Sequence, residues 1–326
     1  MVDSVLLVRE TRAGETRVAL TPNDVSALLS CGAVRRIFVE RGAGVAAGFI
    51  DADFERAGAV LRASAEDDGD VEGLARLFAD VHTIVRCKRA SPLRERSEIE
   101  ALARARTVQC MVGALDVLER ASSHVQAWKD AGVSEIVSLD QLPSSKLLSS
   151  MSDMTGELAF RHALSLAQPV QHVVILGFGV AARSALREAQ THSSVQRFDV
   201  FCTQRQECDD PRVHFTVMPA TLAEQQAVVR AAVVSAQVVL CAARKSNTPA
   251  PMLLPADTLE AMLPGAVVLD LAVTEGGNCE GALHDQTVVV GSKQVLVVNV
   301  SGYPKAHPHE ASVRWSAAST EFLMSR

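Results

Sequence analysis

Aromatic residues are scarce in this chain. They make up 4% of its 326 residues, and tyrosine occurs once, at Tyr303. Base-stacking platforms need rings in number, so this scarcity argues against nucleic acid as a partner. Positive charge is not in excess either. Asp and Glu total 38 against 32 Lys and Arg, a formal net charge of −6. With no long Lys/Arg run, there is no electrostatic footprint for nucleic acid or an anionic membrane surface. Apolar runs stop short of the roughly 18 residues that a membrane span needs, so no membrane partner is expected. Met1–Arg17 lacks a long apolar core and carries both charge signs, unlike a secretory leader. The seven cysteines, at 31, 87, 110, 202, 208, 241 and 279, form no Cys-x-x-Cys pair. Their odd number and apolar settings suggest reduced, mostly buried thiols and a cytoplasmic chain. Metal-ligand spacing is also missing. The acidic stretch Glu66-Asp67-Asp68-Gly69-Asp70 has no terminal glutamate of a calcium loop and reads as a solvated loop or helix start.

What the chain does have is an ordinary globular composition, 48% hydrophobic and 21% charged, and length enough for two domains with cores of their own. Near its middle, Val173-Val174-Ile175-Leu176 runs into Gly177-Phe178-Gly179-Val180-Ala181-Ala182, and a helical pattern follows from Ala182 to Gln190. This is the strand–turn–helix of a dinucleotide site. Gly177 allows the tight turn, Gly179 lets backbone approach a pyrophosphate, and Ala182 keeps helix and strand close. The phosphates would lie over the free N–H groups at the helix start. About 170 residues precede the fingerprint, so the dinucleotide domain comes second.

Before it, the pattern alternates strand and helix. Val5–Val8 reads as a buried strand. Thr21 and Pro22 read as N-cap and first residue of a helix with Val25, Leu28 and Leu29 inward, closed by Gly32. Strands at Ile37–Val39, Val60-Leu61 and Asp80–Val85 continue a parallel α/β rhythm. Ser144-Ser145 open a long helix with Leu147, Leu148, Met151, Met154 and Leu158 on one face, a bridge between domains. After the fingerprint, strands are expected near Phe198–Cys202, Val238–Cys241, Val267–Leu271 and Thr287–Val290. Pro308–Arg326 reads as a final helix that packs back on the first domain. The expected fold is therefore α/β, with two Rossmann-like domains and a cleft between them, the second a doubly wound dinucleotide-binding sheet. The domains are expected at 1–144 plus 301–326 and at 145–300.

These motifs resemble the alanine dehydrogenase and nicotinamide nucleotide transhydrogenase (domain I) family over nearly the whole chain. The resemblance rests on Arg9-Glu10…Gly14-Glu15-Thr16-Arg17-Val18-Ala19-Leu20-Thr21-Pro22, on Glu40-Arg41-Gly42-Ala43-Gly44…Gly48-Phe49, and on Val85-Arg86-Cys87-Lys88. Val268-Leu269-Asp270-Leu271-Ala272…Gly276-Gly277-Asn278-Cys279-Glu280 and Pro304…Pro308…Ser312 complete it. The short carboxyethylornithine synthase branch and the more distant saccharopine dehydrogenases are similar too. The resemblance implies an NAD(P)-dependent oxidoreductase acting on the C–N bond of an amino acid or imine. The substrate would be an amino acid or 2-oxo acid, and the assembly a homo-oligomer, most simply a dimer. Arg17 would clamp the carboxylate with two parallel hydrogen bonds, and Lys88, ending a buried strand, would polarise the oxo or imine group. Gly177, Phe178, Gly179, Val180, Ala182, Thr203, Arg205 and Asp270 would contact the cofactor, NAD or NADP.

The chain also departs from the family. The stretch Val108–Ala114 has no histidine where alanine dehydrogenases carry a catalytic one. Thr274-Glu275 stand where an aspartate is expected before Gly276-Gly277, and Leu142–Leu147 lacks the Arg/Gln/Asp trio of transhydrogenase domain I. These losses keep open an alternative, a nucleotide-binding protein of altered chemistry. His307 and His309 offer a relocated acid/base, against capping or surface roles; His82 reads as structural. Cofactor choice turns on where the second strand after Val173 ends. Asp199 at its end would favour NAD, whereas an end near Cys202-Thr203 would let Arg205 meet a 2′-phosphate.

Overall fold

The computed structural model describes every residue except 116–122, 143, 168 and 245–247. Pro143, in the loop compared above with the transhydrogenase trio, lies outside the described residues. The chain divides into two compact units, Met1–Met151 with Pro304–Arg326, and Ser152–Tyr303. The first cut thus falls inside a helix, after Met151, rather than ahead of Ser145.

Unit 1 alternates strand and helix in the order β1 (Val2–Leu7), α1 (Pro22–Ser30), β2 (Val34–Glu40), α2 (Asp51–Arg56), β3 (Val60–Arg62) and α3 (Val71–Phe78). It continues with β4 (Thr83–Lys88), α4 (Pro92–Ala105), β5 (Cys110–Ala114), α5 (Ser123–Asp130) and β6 (Glu135–Ser138). The helix starts follow local chemistry. Thr21 accepts from the Asp24 N–H with Pro22 just inside, and Asp70 accepts from Gly73 N–H, so the acidic stretch ends as an N-cap. The six strands are parallel in the order β3-β2-β1-β4-β5-β6. Alternate side chains enter opposite layers. Val5, Leu7, Val85, Cys87, Val112 and Ala114 join one core, and Leu6, Val8, Ile84 and Met111 join the other. Burial on both faces explains why these strands read as unbroken apolar runs.

The helix α6 (Leu147–Leu166) runs from unit 1 into unit 2. Unit 2 then contains β7 (His172–Leu176), α7 (Val180–Gln190), β8 (Arg197–Cys202), β9 (Val213–Val217), α8 (Leu222–Val233), β10 (Val238–Cys241) and α9 (Ala256–Leu259). After these come β11 (Val267–Asp270), β12 (Thr287–Val290) and β13 (Val295–Val298); α10 (Tyr303–Ala306) then leads back into unit 1, where α11 (Pro308–Met324) closes the chain. The sheet order is β12-β13-β11-β10-β7-β8-β9, with β12 antiparallel to β13 and the others parallel. Gly156 of α6 meets the start of α7 so closely that a methyl group there would overlap the Ala181 carbonyl. That contact explains a glycine in the middle of a long helix, where it costs stability unless close packing requires it.

The C-terminal helix α11 groups with unit 1. Ser312 Oγ and Ser316 Oγ accept the backbone N–H groups of Val18 and Thr21 at 2.9 and 2.8 Å, and Trp315 enters the core with Val25 and Leu28. Among the described residues, no helix is long and apolar enough to cross a membrane. All seven cysteines are free. Four of them (Cys87, Cys202, Cys241 and Cys279) are buried, while Cys31 and Cys208 are exposed.

Candidate active-site elements

In unit 2, strand order reverses between β7 and β10, the place where ligands of doubly wound sheets collect. Gly177 follows β7 with φ +89°, and a Cβ there would lie 2.7 Å from the Ala242 carbonyl oxygen at the end of β10. Only glycine fits this turn. Gly179 N-caps α7, and nothing lies within 4 Å of where its Cβ would be. The first helical bond is Arg183 N–H to Gly179 O at 3.0 Å. The N–H groups of Val180, Ala181 and Ala182 therefore have no partner in the preceding turn. Ala182 is fully buried, Val180 is exposed, and Phe178 packs edge-on to Phe215 at 5.0 Å. This open, donor-rich helix start suits a pyrophosphate.

Strand β8 runs through to Cys202, leaving Thr203 and Arg205 exposed just beyond it. Asp199 lies within the strand and is engaged elsewhere. It accepts from His172 Nε2 at 2.8 Å and lies 2.9 Å from Arg197 Nε, while Ser235 Oγ meets His172 Nδ1 at 3.0 Å. Burial opposes its ionisation, but these two partners prevail and hold the carboxyl below the usual range. Arg205 has only a loose contact with Glu207, at 3.7 Å with both side chains exposed.

Asp270, expected to contact the cofactor, lies at the end of β11. Its carboxylate is fully buried and accepts the backbone N–H groups of Ala272, Asn278 and Cys279 at 2.8, 2.7 and 2.9 Å. It therefore pins the Gly276-Gly277 loop after β11 from within. Burial pushes its carboxyl above the usual range despite the three donors.

In unit 1, the reversal of strand order falls between β1 and β4. Past the end of β1, Arg17 is buried and its side edge is taken by Glu15, with Nε to Oε1 at 2.7 Å and Nη2 to Oε2 at 2.6 Å. The expected free clamp is thus half engaged. The remaining end-on pair includes Nη1, whose neighbour is the weak acceptor Met151 Sδ at 3.5 Å, and the guanidinium lies 4.5 Å from the centre of the Trp315 ring. Burial works against the Glu15 charge, but the Arg17 fork outweighs it and holds that carboxyl below its ordinary value.

Lys88 ends β4, where the register against β5 shifts between Val85 and Lys88. It is partly exposed, and no hydrogen bond or ion pair of its ammonium is found among the described residues. The shift leaves the N–H groups of Cys87 and Lys88 to Glu10, whose Oε1 and Oε2 accept them at 2.5 and 3.1 Å. Glu10 was visible in the sequence as part of a motif, but not as a site residue. Only the fold brings it onto the end of β4. Behind it lies a buried ionic chain. Arg86 forks onto Glu98 at 2.8 and 2.9 Å, and Arg94 bridges Glu98 and Glu40 at 3.0 Å.

His309 stacks on Phe49 at 4.4 Å with Nδ1 3.1 Å from the Ala47 carbonyl, His307 is exposed ahead of α11, and His82 meets Ser4 Oγ at 2.7 Å. Strand β5 carries no histidine.

Two doubly wound sheets, one with a glycine-rich turn opening a helix at its switch point, define a two-domain Rossmann-like protein. The family models "Alanine dehydrogenase/PNT, N-terminal domain" and "Alanine dehydrogenase/PNT, C-terminal domain" match residues 6–155 and 160–325. The chain belongs to the alanine dehydrogenase/PNT family. It is 27% identical to the NAD(P) transhydrogenase subunit alpha of Cereibacter sphaeroides over 94% of its own length, and spans 62% of that relative. It is equally 27% identical to the alanine dehydrogenase of Bacillus subtilis, with 86% of this chain and 73% of the relative covered. The crystal structure of a transhydrogenase from Sinorhizobium meliloti shares the fold with a TM-score of 0.77, 22% identity, and coverage of 99% and 94%.

Proposed function

We propose that this protein is an NAD(P)-dependent oxidoreductase acting on the C–N bond of an amino acid or its imine. The observation that carries this reading is Lys88. This partly exposed residue ends β4 at the switch point of unit 1, and its ammonium has no hydrogen bond or ion pair among the described residues. There it can polarise an oxo or imine group, while the end-on N–H pair of Arg17 receives the carboxylate. The cradle of Gly177, Gly179 and the α7 start fits a dinucleotide, which would supply the hydride acceptor or donor. Arg205 and Thr203, exposed beyond β8, favour the 2′-phosphate of NADP over NAD. The test is NAD(P)H absorbance with a panel of amino acids and 2-oxo acids, singly and in pairs. Tight dinucleotide binding with no turnover of any member would reject the assignment.

The missing histidine on β5 favours a second reading, a dinucleotide-binding protein that has lost the chemistry. It predicts calorimetric binding without turnover and no effect of Lys88→Ala on cellular function. Turnover that Lys88→Ala abolishes in a folded protein would eliminate it.

A further inference from the structure

Oxidising an amino acid at its C–N bond requires a proton to leave the nitrogen first. The ammonium N–H bond breaks to give a free amine, and only then can hydride depart from Cα as the C=N bond forms. Water adds to that bond, the nitrogen leaves as ammonium, and one proton goes to solvent for each hydride passed to the oxidised dinucleotide. Some group in the site must take the first proton and release it again near neutral pH.

Few side chains near the ends of β1 and β4 can do so. Arg17 stays charged, because Glu15 overcomes the effect of burial and raises its pKa. Glu15 is held ionised by that same fork. The Cys87 thiol is fully buried, and burial pushes its pKa well up. Cys110, which β5 contributes, sits at the opposite end of its strand and is pushed up to about 12 by burial. Lys88 is needed as a cation. Glu10 remains.

We propose that Glu10 is the acid–base group of this site, poised on the Cys87 and Lys88 N–H groups to exchange a proton with the substrate nitrogen beside Lys88. The proposal rests on the oxidoreductase reading above. The geometry has three parts. Both carboxyl oxygens are fixed by backbone donors, which sets their orientation without side-chain freedom. Those donors belong to the irregular stretch of β4 that also ends in Lys88. The residue as a whole is partly exposed past the end of β1, while its carboxyl is desolvated where it meets those donors. The charges facing it are balanced. Burial raises its pKa most, and Glu15 adds to that. Arg86 and the two N–H groups lower it, with the Arg17 cation also within reach, and the outcome is about 7. Arg86 is itself tied to Glu98, so its pull on Glu10 is shared.

The experiment combines infrared titration with kinetics. Protein labelled with 13C at the glutamate carboxyl is titrated without ligand from pH 5 to 9, alongside Glu10→Gln. A carboxylic-acid band that disappears with a midpoint near 7 and is missing from Glu10→Gln is the expected result. A Glu10 that stays ionised throughout that range overturns the proposal, whether or not the protein turns anything over. With the fastest amino acid of the panel, Glu10→Gln should lose kcat by about a hundredfold, with KM little changed and the limb of the pH profile near 7 gone. Glu10→Asp should recover part of the rate. If Glu10→Gln keeps kcat within about threefold, Glu10 is not the proton carrier. If the unmodified protein has no turnover, the oxidoreductase reading fails, and the infrared titration alone judges whether Glu10 carries a proton near neutral pH.

Discussion

Glu15 grips the side edge of Arg17 through two parallel hydrogen bonds of 2.7 and 2.6 Å, with both side chains buried. The pair is close in sequence yet closed over by other parts of unit 1, with Trp315 against the guanidinium and Met151 at Nη1. Removing Glu15 leaves the buried Arg17 without its hydrogen-bonded counter-ion, and only the more distant Glu10 still acts on it. Glu15→Gln should therefore destabilise unit 1 by about 3–5 kcal/mol, seen as a fall in thermal midpoint with dinucleotide binding retained. An unchanged midpoint would show that solvent already compensates Arg17.

The two glycines of the fingerprint should behave differently. At Gly177, a Cβ would collide with the Ala242 carbonyl, and φ is +89°. Gly177→Ala should therefore impair folding and binding together. At Gly179, φ is −77° and the space beyond is open. Gly179→Ala should keep its melting temperature within a degree or two, yet lose roughly tenfold or more in dinucleotide affinity, about 1.4 kcal/mol. Calorimetry and thermal melts on the same two variants make the comparison. Equal affinity for Gly179→Ala and the parent would place the phosphates elsewhere.

Cofactor preference should depend on Arg205. Its side chain is exposed and loosely paired, so it is available to a 2′-phosphate. A charge-assisted hydrogen bond of this type contributes about 1.5–3 kcal/mol, so Arg205→Ala should weaken NADP(H) binding some ten- to hundredfold with NAD(H) nearly unaffected. Matching losses for both dinucleotides would point to another determinant.

Glu10 and Glu15 should give opposite pH dependences. The Glu10 pKa is raised from 4.5 to about 7, so the folded state keeps a proton that the unfolded chain has lost. Its contribution is full below about 4.5 and declines as pH rises towards 7. The Glu15 pKa is lowered, so its contribution is present above 4.5 and is lost as pH falls through the depressed value. Urea unfolding across pH 4–8 should show Glu10→Gln gaining about 1–3 kcal/mol on the parent between the ends of that range. A constant difference would mean that Glu10 titrates normally.

Much of this protein was legible from local signals. Thr21-Pro22 starts α1 because capping chemistry involves only neighbouring residues, and the apolar runs of β7, β10 and β11 read as strands because both faces of their sheet are covered. Gly177, Gly179 and Ala182 fall within six consecutive residues, so their spacing alone indicates a turn feeding a helix. Short strands were harder. Neither β9 nor β13 stood out, and nothing local shows that β12 pairs antiparallel with β13, because pairing direction is set by the partner. The chemistry of unit 1 depended even more on tertiary structure. Lys88 and Arg17 could be named from motifs, but Glu10 and Lys88 lie 78 positions apart, and only the parallel pairing of β1 with β4 places that carboxylate on the Lys88 N–H. Asp270 is a further case. Its motif was legible, but only folding shows its carboxylate turned inward onto three backbone donors of its own loop. Sequence determines which residues are available and the local turns they make, because those energies are short-ranged. Burial and long-range hydrogen bonding decide which charges survive and what they face, and those arise only when distant segments pack together.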